Sequence, residues 1–172
     1  ILIKGPIIII FTFFPLIIFS VLRKRNFFKN IWSAFGFVLL LLITIPWFVL
    51  INIKSGGAFW YESVGNDLFN KVKSGQESHG FPPGYYSLLL FIFFWPGSIF
   101  IINLFLRIKE KFKYILKKDD FSLYLIISFG FPLIIFELIP TKLPHYIYPA
   151  YLPLSILVAK FLAECDYNKK LL

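Results

Sequence analysis

Lys4, His79, Lys142 and His145 are the residues whose types suggest chemistry, because each can present a cation close to the end of an apolar run. Few acids stand beside them, so together they suit an anionic ligand such as a phosphate. His79 follows Glu77 by two residues in GQESHGFPPGYY, residues 75–86, where the Pro82-Pro83 pair stiffens the exit into the next apolar run. Its imidazole can serve as a base, a phosphate donor or a metal ligand, or it can cap a loop at headgroup level. One His with one Glu is a weak metal signal. Lys142 and His145 belong to ELIPTKLPHY, residues 137–146, with Glu137 near the end of an apolar run. An ionisable residue at that depth is costly to insert and needs a partner or a task. Lys142 is a suitable partner, and a salt bridge locking two helix ends is the structural alternative to a ligand site. Lys4, in KGP at 4–6, is equally open to simple snorkelling toward the interface.

The elements that hold these residues follow from composition. Hydrophobic residues make up 58% of the 172, aromatics 21%, and the mean hydropathy is +0.76. That is more apolar surface than a soluble core of this size hides. The apolar residues fall in runs of roughly 20, the length that a ~30 Å hydrocarbon layer requires of a helix. They lie near residues 5–22, 31–53, 85–106, 121–139 and 149–162, the last being short. The expected fold is therefore all-α, a polytopic membrane helical bundle with about five spans in one domain over 1–172. The chain lacks Met and opens directly against an apolar run, as expected of a fragment of a longer protein. Cys165 stands alone, so it forms no intrachain disulfide.

Charge orients the spans. Thirteen of the eighteen basic residues fall in the connections at 23–30 and 107–120 or at the end of the last run, a net charge of +8. Lys4, Lys54, Lys71, Lys73 and Lys142 fall on the other side, whose net charge is +1. Lys and Arg are retained in cytoplasmic loops, so 54–84 and 140–148 are the expected external loops and carry three of the four candidate cations, Lys4 sitting at the outer edge of the first run. Within the longer loop, Trp60, Val64, Leu68 and Val72 recur every four residues opposite Glu62, Asn66, Asn70 and Lys73. This spacing predicts a helix lying in the interface, either as an ordinary connector or as a shaper of the site. Trp32, Trp47, Trp95 and the Tyr85-Tyr86 pair read as aromatic-belt residues. The pI near 9.6 is a topology signal, because no basic motif interleaved with aromatics supports a nucleic-acid partner.

Six short motifs then occur in one order: KGP at 4–6, PWF at 46–48, GAFWYESVGNDL at 57–68, QESHGFPPGYY at 76–86, WPGS at 95–98 and TKLPHYI at 141–147. In that order, and matched to loop position, they resemble the bacterial polyprenyl-phosphate-dependent glycosyltransferases of the GT-C type, which include aminoarabinose lipid A transferases and are related to protein O-mannosyltransferases. The resemblance covers nearly the whole chain. It implies an inverting transfer of a sugar from a polyprenyl-phosphate carrier to a lipid A-like, other lipid or protein acceptor, on the periplasmic side of the inner membrane. Lys4 and Lys142, with His79, would then stabilise the departing lipid phosphate, in a site set completed by His145, Glu77, Glu137 and Tyr85. The family's catalytic base lies in a first external loop upstream of these motifs, so Glu77 and Glu137 are not assigned that role, and Glu137 is expected to orient Lys142. No cofactor is implied beyond the lipid-linked donor, and no metal is assigned. The rival class is a transporter or flippase for an anionic lipid-linked substrate, which inverted hydropathy repeats would favour and an upstream acidic pair would disfavour.

Overall fold

Long apolar runs can satisfy their backbone in lipid only by coiling into helices or closing into barrels. The computed structural model describes residues 7–25, 27, 29, 32–61 and 81–170, and these residues are all-α in architecture. The helices are α1 (Ile7–Arg23), α2 (Ala34–Ser55), α3 (Tyr85–Phe93), α4 (Ile101–Lys118), α5 (Asp120–Leu138) and α6 (Tyr148–Lys170). A helical turn at Ala58–Trp60 and 3-10 turns at Gly97–Phe100 and Pro144–Tyr146 join them. Lys4, Glu77, His79 and most of the predicted interfacial helix lie outside the described residues.

At its 19 residues α5 is roughly 28 Å long, close to one hydrocarbon thickness, and it is the axis of the bundle. Along α1, Phe11 stacks on Phe136 at 5.6 Å and Phe14 on Phe131 at 5.5 Å, Phe19 meets Tyr124 edge-on at 5.5 Å, and Arg23 Nε reaches Asp120 Oδ1 at 2.6 Å. The partner's number falls as that of α1 rises, so the two helices run antiparallel. The start of α1 therefore lies at the Leu138 end of α5. Ala150, Leu154, Leu157 and Phe161 of α6 are buried in the same core. In contrast, α2 buries none of its residues. Its ends are closed locally: the Ser33 hydroxyl accepts from the Gly36 N–H at 3.2 Å, and Gly56 takes a left-handed conformation after the last turn. A helix apolar on every side that buries none of its residues, and whose Trp47 meets the following turn at Phe59, 5.7 Å away, suits a lipid surround.

Among the described residues, α2 and α5 are long and apolar enough to cross a membrane, and the count rises to three if the bent pair of α3 and the stretch Gly97–Lys118 forms one span. Those two segments meet at 116°, whereas the sequence reads 85–106 as one continuous run. Hydropathy reports the solvent of a segment but not its direction. The break falls at Pro96, whose ring cannot continue a helix, and at Gly97, where a Cβ would collide with the ring of Phe94.

The Asp120 end of α5 is closed by side chains. Asp119 is the N-cap, accepting from the Ser122 N–H at 3.0 Å. Lys160 of α6 donates to Asp119 Oδ2 at 2.6 Å and to the Ser122 hydroxyl at 2.7 Å. Burial works to raise the Asp119 pKa, but the hydrogen bonds from Lys160 and Ser122 outweigh it and hold the carboxyl below its ordinary value. A carboxylate depressed in this way stabilises the fold above its unfolded-state pKa, and that contribution fades as pH falls through the folded value. Asp119→Asn keeps a capping oxygen but removes the charge that faces Lys160, so it should lower stability at neutral pH by roughly 1–2 kcal/mol, and the deficit should shrink in acid as the wild-type carboxyl protonates. Thermal melts across pH check this; a deficit independent of pH would count against the Asp119–Lys160 pair.

Candidate functional site

At the opposite end of α5 the same constraint produces a larger arrangement. A helix leaves its last carbonyls without intrahelical partners, and here Lys142 turns back to fill them. Its Nζ donates to the carbonyls of Phe136 at 3.0 Å, Glu137 at 2.7 Å and Ile139 at 3.1 Å. The residue is 1% exposed. A cation at a helix C-terminus also meets the negative end of the helix dipole, and the ring of Tyr86 lies 5.4 Å from the ammonium. With three N–H donors and three carbonyls, the ammonium's hydrogen-bonding capacity is filled.

Glu137 carries its carboxylate in the other direction, onto the start of α3. Gly84 is the N-cap of that helix and offers no side chain, with φ at 104°, a conformation that favours glycine. In its place Glu137 Oε2 accepts from the Gly84 N–H at 2.8 Å, and Oε1 accepts from the Ser87 N–H at 2.8 Å and the Ser87 hydroxyl at 2.9 Å. A residue some fifty positions away thus caps α3. The carboxylate stands 3.6 Å from Lys142 Nζ, so each charge satisfies a helix terminus and faces the other. Tyr86 adds a third tie: its hydroxyl accepts from the Leu143 N–H and donates to the Leu143 carbonyl, both at 3.1 Å. The sequence reads Tyr86 as a belt residue, but it is fully buried. The beginning of α3, the end of α5 and the turn at 139–147 are consequently one rigid unit.

His145 emerges from that unit. It is exposed, sits edge-on to Tyr146 at 4.8 Å, and lies at the mouth of an apolar cavity of about 530 Å³ between α1, α5 and α6. Ile8, Phe11, Leu125, Leu152 and Ile156 supply much of its wall, and Ser128 contributes a hydroxyl that is buried without a hydrogen-bond partner. Tyr85, also expected in the site, stacks on Phe81 at 4.7 Å and lines a separate groove with Pro82 and Pro83. Among the described site residues, Lys142, Glu137 and His145 share one end of the bundle, with Lys142 sealed inside it and His145 outside. No group of three or more His, Cys, Asp or Glu with metal-site geometry occurs among the described residues.

Helices of bilayer length, held at one end by a buried charged junction beside an apolar cavity, define a helical membrane-protein segment. Known proteins narrow this further. The chain is 27% identical over 135 residues to an undecaprenyl phosphate-alpha-4-amino-4-deoxy-L-arabinose arabinosyl transferase of Photorhabdus laumondii, covering 75% of this chain and 22% of that protein. It is 25% identical over 150 residues to a transferase of the same description from Pseudomonas fluorescens, covering 85% of this chain and 26% of that one. An uncharacterized protein of Aquifex aeolicus is 26% identical over 161 residues, 94% of this chain and 35% of its own. The relationship is distant, and the chain spans about a quarter of the length of the transferases it matches. No family model matches the chain, and no solved structure matches it significantly.

Two substitutions separate the strands of the junction. Glu137→Ala leaves the Lys142 ammonium buried without its counter-charge and should cost roughly 3–5 kcal/mol. Tyr86→Phe keeps the ring but strips both Leu143 groups of their partner and should cost about 1–3 kcal/mol. Thermal or denaturant unfolding in detergent measures both, and a neutral Glu137→Ala would mean the junction is not formed.

Proposed function

We propose that this chain is part of a membrane glycosyltransferase that moves a sugar from a polyprenyl-phosphate carrier to a lipid A-like or other acceptor at the periplasmic face of a bacterial inner membrane. The observation that carries this reading is the match to undecaprenyl-phosphate arabinosyl transferases along 75% and 85% of the chain. The apolar cavity ending at His145 supports it, since a lipid-linked donor combines a long apolar tail with an anionic head. In this reading the tail lies along α1, α5 and α6, and the phosphate meets His145 together with Lys4 and His79.

The chemistry such a site must supply is stabilisation of charge. The acceptor hydroxyl oxygen forms a bond to the anomeric carbon and gives its proton to a base, while the bond from that carbon to the phosphate oxygen breaks and the phosphate leaves with the electron pair. Positive groups aimed at that oxygen strengthen as charge develops and so act on the transition state more than on the ground state. His145 serves as an N–H donor to that oxygen. Lys142 acts from behind: its ammonium is filled by carbonyls, so it and Glu137 fix the turn that carries His145 and do not touch the phosphate. The general base for the acceptor hydroxyl is supplied from elsewhere in the full-length protein.

In full-length protein reconstituted with lipid-linked sugar and a lipid acceptor, Lys4→Ala and His145→Ala should each slow transfer by about 100-fold or more, with melting unchanged. Lys142→Ala should lower both transfer and stability. Wild-type turnover in the first two variants would defeat the phosphate site, and binding of the donor with no transfer by the wild type would favour a carrier or flippase.

A further inference from the structure

Two basic runs, at 23–29 and 107–118, stand far apart in the sequence, and each alone reads as a topology signal. The fold joins them. The Arg23 guanidinium donates to the carbonyls of Ile115 and Leu116 in the last turn of α4, 92 and 93 residues away, and pairs with Asp120. The turn after α1 is thereby set beside the end of α4. Three acids at this end of the bundle are already engaged: Asp120 by Arg23, Asp119 by Lys160 and Glu164 by Lys111.

What is left is an excess of positive charge. Lys24, Arg25, Lys117 and Lys118 are exposed, and none of them has an ion-pair partner among the described residues. Lys24 moreover adopts a left-handed backbone, φ 51°, just past the end of α1, where glycine is the unstrained choice. Like charges gathered from two segments repel one another unless an anion stands among them. The patch is not surrounded by a polar surface either: Leu22 is 53% exposed and Leu116 37%. Side chains of that kind belong against acyl chains, which distinguishes a lipid headgroup from a soluble anion.

We propose that Lys24, Arg25, Lys117 and Lys118 form a two-segment site for the headgroup phosphate of an anionic phospholipid in the cytoplasmic leaflet, with Leu22 and Leu116 against its acyl chains. The site lies at the opposite end of α5 from His145 and is independent of sugar transfer. It accounts for the position of Arg23, which holds both halves in register while its own charge is neutralised by Asp120. Basic residues at a membrane surface each add to the attraction for anionic lipid, and the attraction is screened by salt.

The test uses full-length protein in nanodiscs of equal parts phosphatidylglycerol and phosphatidylcholine, with the lipids that remain bound after extraction counted by native mass spectrometry. The wild type should enrich phosphatidylglycerol. The triple change Lys24→Gln, Lys117→Gln and Lys118→Gln should cut that enrichment about tenfold or more, and arginine at the same three positions should retain it. Raising the salt concentration on the wild type should erode the enrichment in the same direction, and the single change Lys24→Gln should lower it in part where the triple variant fails to insert. Enrichment unchanged by the glutamines, or indifferent to salt, overturns the site.

Discussion

A helix end buried against neighbouring protein is out of reach of water, so its terminal N–H and C=O groups call for partners within the protein itself. In this chain that constraint is discharged by charged side chains, and the arrangement of the bundle follows from where they come from. Asp119 and Lys160 close one end of α5, and Lys142 closes the other. Each capping group belongs to the connection beside α5 or to a neighbouring helix. Satisfying the ends of α5 therefore also fixes its neighbours.

The outer junction illustrates how far this reaches. Glu137 uses its backbone carbonyl to accept from Lys142 and its carboxylate to cap α3. One residue thus joins a helix that is ending to a helix that is starting. Tyr86 then ties the start of α3 to Leu143, two residues before His145. Charge pairs buried in low dielectric are expensive unless their remaining hydrogen-bonding capacity is filled; here the carbonyls and amides of three segments fill it. The result is a braced turn under an exposed imidazole that lines an apolar cavity.

Much of the bundle is legible in the chain itself. Runs of apolar residues reveal the helices. The proximity of Glu137 to Lys142 is visible because an acid near the end of an apolar run five residues from a base has few other partners. Three features are hidden for physical reasons. The ammonium of Lys142 lies among carbonyls, and backbone acceptors leave no trace in side-chain patterns. The burial of Tyr86 is masked because an aromatic at a helix start reads as a belt residue, and only its contact with Leu143, 57 positions away, distinguishes it. The turn between α3 and α4 is masked because hydropathy continues smoothly through Trp95, Pro96 and Gly97, although a Pro-Gly pair within an apolar run was the available warning. The meeting of Arg23 with the end of α4 depends on how α1 packs along α5, which no local pattern encodes.

The most direct test of the outer junction is amide hydrogen exchange in full-length protein held in nanodiscs, comparing the wild type with Glu137→Gln at Ser87 and at Leu143. If the beginning of α3 and the turn at 139–147 form one unit through Glu137, Lys142 and Tyr86, exchange should accelerate at both amides, although Glu137 bonds only the first. Acceleration confined to Ser87, with Leu143 as protected as before, would contradict the coupling on which the placement of His145 rests.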